Sequence, residues 1–326
     1  MKKIVLLLMV AFLALFFASC QSENEYIAEY TTVRIAAMRG PTALGLLALM
    51  EDSANENTDG VYEFTLLGSP DEVPPLLVRG EIDVAAVPGN LAAVLYNQLG
   101  GDVVALAIVT LGVLHIVDTT GEINSVEDLR NRTILVHGQG ATPEFALNYV
   151  LTHNGLVPGV DVTIDFRAEH AEVAALLETG QGEIALLPEP FVSTVLARID
   201  GLRIALDLTE EWNRVQPDYG LIMSVVVARR QFVEENPDAI MTLLREYESS
   251  INYVLANTSS AAQLAVDFGI IPNVAIAENA LPRTHVVFIN GELMKRHLIG
   301  FYGVLYRENP MTVGGSIPSD EFFFIP

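Results

Sequence analysis

The stretch EVPPLLVRGEIDVAAVP at positions 72–88 recurs one hundred residues later as EVAALLETGQGEIALLP at positions 172–188. The similarity extends to both sides, and between positions 40 and 106 thirteen residues are identical to the residue one hundred positions later. Self-similarity at a fixed spacing indicates two copies of one structural unit. The sequence therefore predicts two similar lobes rather than one irregular domain.

Each copy alternates short apolar runs with segments of helical composition. The expected strands are Val33–Met38, Tyr62–Leu67 and Asp83–Val87 in the first copy, and Thr133–His137, Val162–Phe166 and Glu183–Leu187 in the second. Strands that alternate with helices indicate parallel pairing, with helices covering both faces of the sheet. The apolar segment Val103–Val117, interrupted by Gly112, predicts a strand that leaves one lobe and enters the other.

The fold class that follows is α/β, with two similar lobes, mainly parallel sheets, crossing strands and a ligand cleft between the lobes. We expect residues 31–112 together with 229–326 to form lobe 1. Residues 113–228, including a strand at Leu221–Ala228, are expected to form lobe 2.

The first thirty residues have the features of an export signal and a tether. Lys2-Lys3 and the apolar run Ile4–Phe17 predict a signal over residues 1–19, too short for a membrane span. Phe17-Ala18-Ser19-Cys20 resembles the lipobox of bacterial lipoproteins, in which lipid such as palmitate is attached to the cysteine. Residues 20–30 are then a lipid-anchored tether, and the protein is exported and held at the bacterial cell membrane, on the outer surface or in the periplasm.

Composition limits the partners of the chain. There are 18 Lys and Arg against 41 Asp and Glu, a net charge of −23, which argues against nucleic acid and against docking on anionic lipid. The six histidines lack the paired spacing of metal-binding helices, so we predict no metal and no cofactor. Cys20 is the only cysteine, which excludes disulfides within the chain. We expect a monomer without catalytic residues.

The candidate ligand-binding residues lie in loops that follow strands and lead into helices. Ligands of open α/β sheets bind there, and a helix N-terminus favours an anionic group by about 0.3–1 kcal/mol. The candidates are Arg39, Pro41, Thr42, Ser69, Pro70, Pro88, Gly89, Asn90, His115, Gln139, Gly140, Ala141, Thr142, Glu189, Pro190 and Tyr219. They predict a small solute that is anionic or heterocyclic.

Several candidates also have simpler interpretations. Thr42 and Thr142 suit helix N-caps, and Arg39 suits pairing with a surface carboxylate. Of the histidines, His115 and His137 are placed to reach the cleft. Phe145 and Phe191 are expected in the core, whereas Trp212 and Tyr219 are free to stack on a planar ligand. We expect specificity at the positions where the copies differ, namely Arg39/Gln139, Ser69-Pro70/Glu169-His170 and Gly89-Asn90/Glu189-Pro190.

Three segments, Ile35–Thr42, Arg79–Ala85 and Leu187–Phe191, resemble the solute-binding lipoproteins of ABC importers, specifically the nitrate, sulfonate, taurine and thiamine-precursor group. The resemblance implies a type II periplasmic-binding-protein fold, whose two lobes close on a solute and present it to a membrane permease driven by an ATPase. It also implies a binding protein rather than an enzyme.

Two alternative functions remain open at this point. Some cytoplasmic enzymes of menaquinone or pyrimidine biosynthesis share the fold, but the export signal and the missing cysteine-rich patch oppose an enzyme of this kind. A surface receptor that signals without transport is the other alternative.

Overall fold

Strands and helices alternate along residues 31–326, the part of the chain that the computed structural model describes. The predicted export signal, Cys20 and the tether up to residue 30 lie outside the described residues. The strands are β1 (Thr32–Met38), β2 (Val61–Leu67), β3 (Val84–Pro88), β4 (Val103–Leu111), β5 (Leu114–Asp118), β6 (Thr133–His137), β7 (Thr163–Arg167), β8 (Ile184–Pro188), β9 (Arg203–Asp207), β10 (Ile222–Arg229) and β11 (Val286–Asn290).

The α-helices are α1 (Pro41–Leu44), α2 (Leu47–Ala54), α3 (Val73–Val78), α4 (Gly89–Gln98), α5 (Thr142–His153), α6 (His170–Glu178), α7 (Phe191–Leu196), α8 (Leu208–Val215), α9 (Arg230–Glu235), α10 (Pro237–Ala256), α11 (Thr258–Asp267), α12 (Val274–Ala280) and α13 (Gly291–Glu308). Short 3-10 turns are formed by Pro70–Glu72, Val126–Leu129, Leu281–Arg283, Pro310–Val313 and Asp320–Phe322. Within residues 31–326, no helix combines the length and the apolar character needed to cross a bilayer.

The strands form two sheets that share one order. The six-stranded sheet runs β2-β1-β3-β10-β4-β11, and the five-stranded sheet runs β7-β6-β8-β5-β9. In each sheet the first three strands are parallel, and the strands that follow are antiparallel to their neighbours. The fold class of two similar α/β lobes is confirmed, with mixed sheets in place of mainly parallel ones.

Crossing strands connect the two lobes in both directions. β4 lies in the six-stranded sheet and β5 in the five-stranded sheet, as the segment Val103–Val117 predicts. Between them the chain passes so close to Thr209 that a Cβ on Gly112 would lie 2.1 Å from its Oγ1. β10 returns to the six-stranded sheet, where it pairs with β3 and β4. This differs from the expected lobe 2, residues 113–228, which included that strand.

One buried apolar cluster contains side chains from both lobes, so the lobes share part of their core. It includes Trp212 of α8, which is fully buried. Its ring centroid lies 4.7 Å from that of Tyr149 on α5 and 6.1 Å from that of Phe301 on α13. Its Nε1–H donates to the carbonyl oxygen of Tyr219 at 2.8 Å, in the segment that leads back into β10.

The buried carboxylate of Asp83 connects two strands of the six-stranded sheet. Its Oδ2 accepts hydrogen bonds from Nε (2.7 Å) and the backbone N–H (3.1 Å) of Arg34. Its Oδ1 accepts from Nη2 of Arg34 and from Nη2 of Arg229, both at 2.7 Å. Burial alone raises the pKa of Asp83, but these hydrogen bonds hold the pKa below its usual value.

We predict that Asp83→Asn lowers the free energy of unfolding at pH 7 by about 3 kcal/mol, because it leaves two guanidinium groups without their buried partner. The folded-state pKa of Asp83 lies below the unfolded value, so the stabilisation is complete above about pH 4 and is lost as the pH falls through the folded-state pKa. Denaturant unfolding at several pH values measures both effects. Asp59, which is exposed and paired with Arg245, is the control, and Asp59→Asn is expected to cost less than about 1 kcal/mol. Equal losses in the two variants contradict the prediction.

Candidate functional site

A cavity of about 130 Å³, here called the inner cavity, lies where the two sheets meet. Its walls come from both lobes and from the crossing strands. They are formed by Met38, Arg39, Pro41, Thr42, Gly68, Pro70, Pro88, Leu114, His137, Gly138, Ala141, Thr142, Pro143, His170, Pro188, Phe191, Met223 and Ser224. The cavity thus lies at the carboxyl ends of the parallel strands, where ligands of open α/β sheets bind.

The two lobes contribute equivalent backbone positions but different side chains. Ser224 of β10 is paired with Pro88 of β3, and Leu114 of β5 is paired in the same way with Pro188 of β8. The same place in the repeat therefore offers a hydroxyl in one lobe and an apolar group in the other. Because the two sides of the cavity differ in polarity, a ligand with one polar end fits in a single orientation, although the backbones of the two lobes are similar.

Three rings form part of the lobe 2 wall of the inner cavity. The ring centroids of His137 and His170 are 4.2 Å apart in a T-shaped arrangement, and those of His170 and Phe191 are 5.0 Å apart. Burial lowers the pKa of His170 to about 3, and the neighbouring His137 adds to the effect. Nδ1 of His170 is buried and has no hydrogen-bond partner among the described residues. His170 is therefore a neutral imidazole in the wall of the cavity.

A larger cavity of about 490 Å³, here called the outer cavity, adjoins the inner one and shares Pro70, Pro88, His137, Gly138 and Ala141 with it. Polar side chains form much of its wall, including Ser69, Asp71 and Gln139. Arg167 also lines it, but its guanidinium pairs with Asp165 and lies 4.0 Å from Glu172.

Asn90 connects the two lobes beside these cavities. Its Oδ1 accepts hydrogen bonds from the backbone N–H (3.1 Å) and Oγ1 (3.0 Å) of Thr142, at the start of α5 in lobe 2. Its Nδ2 donates to the carbonyl oxygens of Gly140 (3.4 Å) and Thr312 (3.3 Å). All four hydrogen-bonding positions of the amide are thus used within the protein. The sequence predicts Asn90 in the cleft, whereas its side chain bonds to the opposite lobe.

Most of the predicted site residues line one cavity or both. Those at the inner cavity are Arg39, Pro41, Thr42, Pro70, Pro88, Ala141 and Thr142, and those at the outer cavity are Ser69, Pro70, Pro88, Asn90, Gln139, Gly140 and Ala141. Loops separated by one hundred residues in sequence therefore meet around one space, as the repeat predicts.

Two further candidates, Glu189 and Pro190, lie outside the lining of both cavities. Glu189 is fully buried, and its Oε1 accepts from Nε of Arg283 at 2.6 Å. Its Oε2 accepts from the backbone N–H of Ser193 at 3.1 Å. The carbonyl oxygen of Pro190 accepts from the backbone N–H of Thr194 in α7 at 3.0 Å. Both residues therefore bond to α7 and do not line the cleft. The Glu189 carboxylate is held there by its ion pair with Arg283, which is 94 residues away in sequence.

Gly89, His115 and Tyr219 also lie elsewhere. The carbonyl oxygen of Gly89 accepts from the Tyr302 hydroxyl at 3.0 Å. His115 is buried, 3.8 Å from Oδ2 of Asp207, and burial lowers its pKa. Tyr219 packs so tightly on Gly300 that a Cβ there would lie 2.0 Å from the ring. Packing against residues distant in sequence removes all three from the cleft.

The helix-cap interpretation of Thr42 and Thr142 is wrong. Thr42 lies inside α1, and its Oγ1 donates to the carbonyl oxygen of Met38 at 2.7 Å. Thr142 is the first residue of α5, Ala141 is its N-cap residue, and Oγ1 of Thr142 bonds to Asn90. Ser69 does cap the turn that begins at Pro70, in a capping box with Glu72. Arg39 is exposed, and its Nη1 donates to the carbonyl oxygen of Gly269 at 3.4 Å.

His170, Phe191, Met223 and Ser224 line the inner cavity but are absent from the predicted set. The difference between the two copies at Ser69-Pro70 and Glu169-His170 is the sequence feature that points to His170 as a site residue. The sequence predicts Phe191 in the core, and the structure places it in the cavity wall as well. The sequence predicts that Trp212 is free to stack on a ligand, but the structure shows its side chain fully buried. Among residues 31–326, no group of three or more His, Cys, Asp or Glu side chains is arranged to hold a metal ion.

Two α/β lobes, crossing strands and a cavity between the lobes define the two-lobe class of solute-binding proteins. Residues 55–260 match the family model described as the periplasmic substrate-binding protein of phosphonate ABC transporters. The chain belongs to this family, and it is the substrate-binding component of an ABC transporter, as predicted. No curated protein matches the sequence.

Solved structures share the fold at low sequence identity. An ABC transporter protein from Parabacteroides distasonis is 23% identical with a TM-score of 0.75, over 91% of this chain and 99% of that one. The aliphatic sulphonate binding protein SsuA from Escherichia coli is 15% identical with a TM-score of 0.71, over 90% and 92%. The nitrate-binding protein NrtA from Synechocystis PCC 6803 is 17% identical with a TM-score of 0.56, over 73% and 66%. None of these comparisons favours the enzyme or receptor alternatives.

We predict that Asn90→Ala shifts the protein toward separated lobes. The hydrogen bonds to Thr142 exist only while the lobes touch, and each contributes about 0.5–1.5 kcal/mol. Loss of this bridge is expected to raise the ratio of open to closed protein about tenfold. Small-angle X-ray scattering measures the change as a larger radius of gyration. Asn279→Ala, which removes an exposed amide bonded only to its own helix, is the control and is expected to scatter like the wild type. Identical scattering from all three proteins contradicts the prediction.

Proposed function

We propose that this protein captures one small solute in the inner cavity and presents it to the permease of an ABC importer. The observation that carries the proposal is the composition of the cavity wall, which takes its residues from both lobes. A solute enclosed in this way gains its full set of contacts only when the lobes are together, so it stabilises the closed arrangement.

The proposed contact residues are the predicted set at the inner cavity, extended by the rings of His137, His170 and Phe191 and by Ser224. The outer cavity, with Ser69, Gln139 and Gly140, is the proposed entrance. Asn90 has a different role, since its amide is bonded to Thr142 and holds the lobes together. The solute is small and either anionic or heterocyclic.

The proposed lobe bounds take β10 into account. Lobe 1 consists of residues 31–112 together with β10 and the chain to residue 326, and lobe 2 runs from residue 113 to the end of α8. The protein acts as a monomer and performs no chemistry on its solute. The permease and its ATPase are the proposed partners.

We also propose export and lipid attachment at Cys20, based on the sequence Phe17-Ala18-Ser19-Cys20 that follows an apolar run. Cys20→Ala is expected to prevent incorporation of an alkyne-labelled palmitate and to move the protein from the membrane fraction to the soluble fraction. Ser22→Ala, two residues further along, is the matched control and is expected to be labelled normally. Labelling of the Cys20→Ala protein excludes this anchor.

The binding role is tested by obstructing the cavity without choosing a ligand. Wild-type protein is incubated with a bacterial metabolite extract, freed of unbound compounds and denatured, and released compounds are identified by mass spectrometry. We expect about one molar equivalent of a single solute. Ala141→Trp, which places a large ring at the junction of the inner and outer cavities, is expected to release less than a tenth of that amount.

Ala175→Trp, at an exposed position of α6 in the same lobe, is the control and is expected to retain the solute. Release of no compound by the wild type, or of equal amounts by Ala141→Trp and the wild type, contradicts the proposed function.

A further inference from the structure

One side chain of lobe 1 bonds to two points of lobe 2 beside the inner cavity. Arg283 ends the 3-10 turn Leu281–Arg283, which leads into β11 of the six-stranded sheet. Its Nε donates to Oε1 of Glu189 at 2.6 Å, and its Nη2 donates to Oγ of Ser193 at 2.7 Å. Glu189 directly follows β8 and Ser193 lies in α7, so both acceptors belong to lobe 2. The guanidinium group therefore joins the lobes by two charge-assisted hydrogen bonds.

The two acceptors lie on either side of Phe191, whose ring forms part of the cavity wall. Glu189 is two residues before Phe191, and Ser193 is two residues after it. Oε2 of Glu189 also accepts from the backbone N–H of Ser193 at 3.1 Å, so the carboxylate connects both ends of this short segment. The segment that carries the Phe191 ring is thus bonded to lobe 1 at both of its ends.

The apolar cores of the two lobes are separate at α7, although α12 of lobe 1 lies against this helix. Val195 of α7 belongs to a buried cluster whose members all lie in lobe 2. Leu281, two residues before Arg283, belongs to another cluster whose members all lie in lobe 1. Within residues 31–326, the buried residues of the core that the lobes share include none from α7. Arg283 therefore provides polar bonds across an interface without a common apolar core.

The burial of Glu189 makes this connection sensitive to loss of its partner. The Glu189 side chain is fully buried, and a buried carboxylate is tolerated only when it is paired and hydrogen-bonded. Among the ion pairs of residues 31–326, Glu189 takes part in one, with Arg283. Removing the guanidinium leaves an uncompensated charge at the start of α7, whereas loss of an exposed ion pair has little effect. The cavity wall that α7 carries is then no longer held in one position.

We infer that Arg283 is a positioning residue for the solute. It lines neither cavity, yet its bonds from lobe 1 hold the segment that places Phe191 in the wall of the inner cavity. The inference rests on the proposed function and adds a residue of lobe 1 that acts on the solute through lobe 2. Because the bonds cross between the lobes, Arg283 stabilises the wall in the arrangement that encloses the solute.

The rate of solute release tests the inference. Wild-type and variant proteins are loaded from a bacterial metabolite extract and transferred to solute-free buffer, and the compound still bound is measured by mass spectrometry over time. Arg283→Met keeps an apolar stem but removes the charge and both hydrogen bonds, so it is expected to shorten the half-time of release about tenfold. The matched control is Arg245→Met, since Arg245 is an exposed arginine of lobe 1 paired with Asp59. Its half-time is expected to equal that of the wild type.

A double variant separates positioning from the effect of a buried charge. Arg283→Met combined with Glu189→Gln removes both charges, so this protein is expected to unfold at nearly the same denaturant concentration as the wild type. It still lacks the bonds between the lobes, and its half-time of release is expected to remain about tenfold shorter than that of the wild type. If the double variant retains the solute as long as the wild type, the unpaired carboxylate alone explains the single variant and the inference is overturned.

The dependence on the Phe191 ring is tested in the Phe191→Ala protein. Because Arg283 acts through this ring, adding Arg283→Met to Phe191→Ala is expected to shorten the half-time by no more than about twofold further. A further loss as large as that in the wild-type background overturns the inference. Equal half-times in the wild type and Arg283→Met overturn the inference alone, whereas capture of no solute by the wild type contradicts the proposed function as well.

Discussion

The chain crosses from one lobe to the other before β5 and crosses back before β10, and the rest of the structure depends on these two crossings. Each of these strands lies in the interior of its sheet, with neighbours on both sides, so neither lobe completes its sheet without chain that arrives from the other. Leu114, the first residue of β5, and Ser224, the third residue of β10, both line the inner cavity. One connection pattern therefore joins the lobes, aligns their strand ends and forms the floor of the site.

Much of the fold was predictable because local sequence patterns, such as repeats and apolar runs, determine it. The hundred-residue repeat corresponds to equal strand order in the two sheets, and the apolar run broken by Gly112 corresponds to β4 and β5. The assignment of β10 was not predictable in the same way. An apolar run shows that a strand exists, but its sheet is decided by pairing with β3 and β4, more than one hundred residues earlier. Long-range pairing leaves no periodicity in the strand itself.

The candidate site was likewise predictable only in part. Loop positions follow from strand ends, so most predicted residues do surround the two cavities. The direction of each side chain depends on partners that the sequence does not place. Glu189 is directed away from the cleft by Arg283, and Asn90 is held by Thr142 in the opposite lobe.

Trp212 lies in the shared core, between helices of the two lobes, and it is the only tryptophan of the chain. Its indole N–H reaches the segment through which the chain returns to lobe 1. A relative rotation of the lobes alters the surroundings of this ring, either through its contact with Phe301 of lobe 1 or through its bond to Tyr219. The protein consequently carries an intrinsic fluorophore in the core that the two lobes share. Emission excited at the red edge of the indole band reports lobe motion without a label and without interference from another tryptophan.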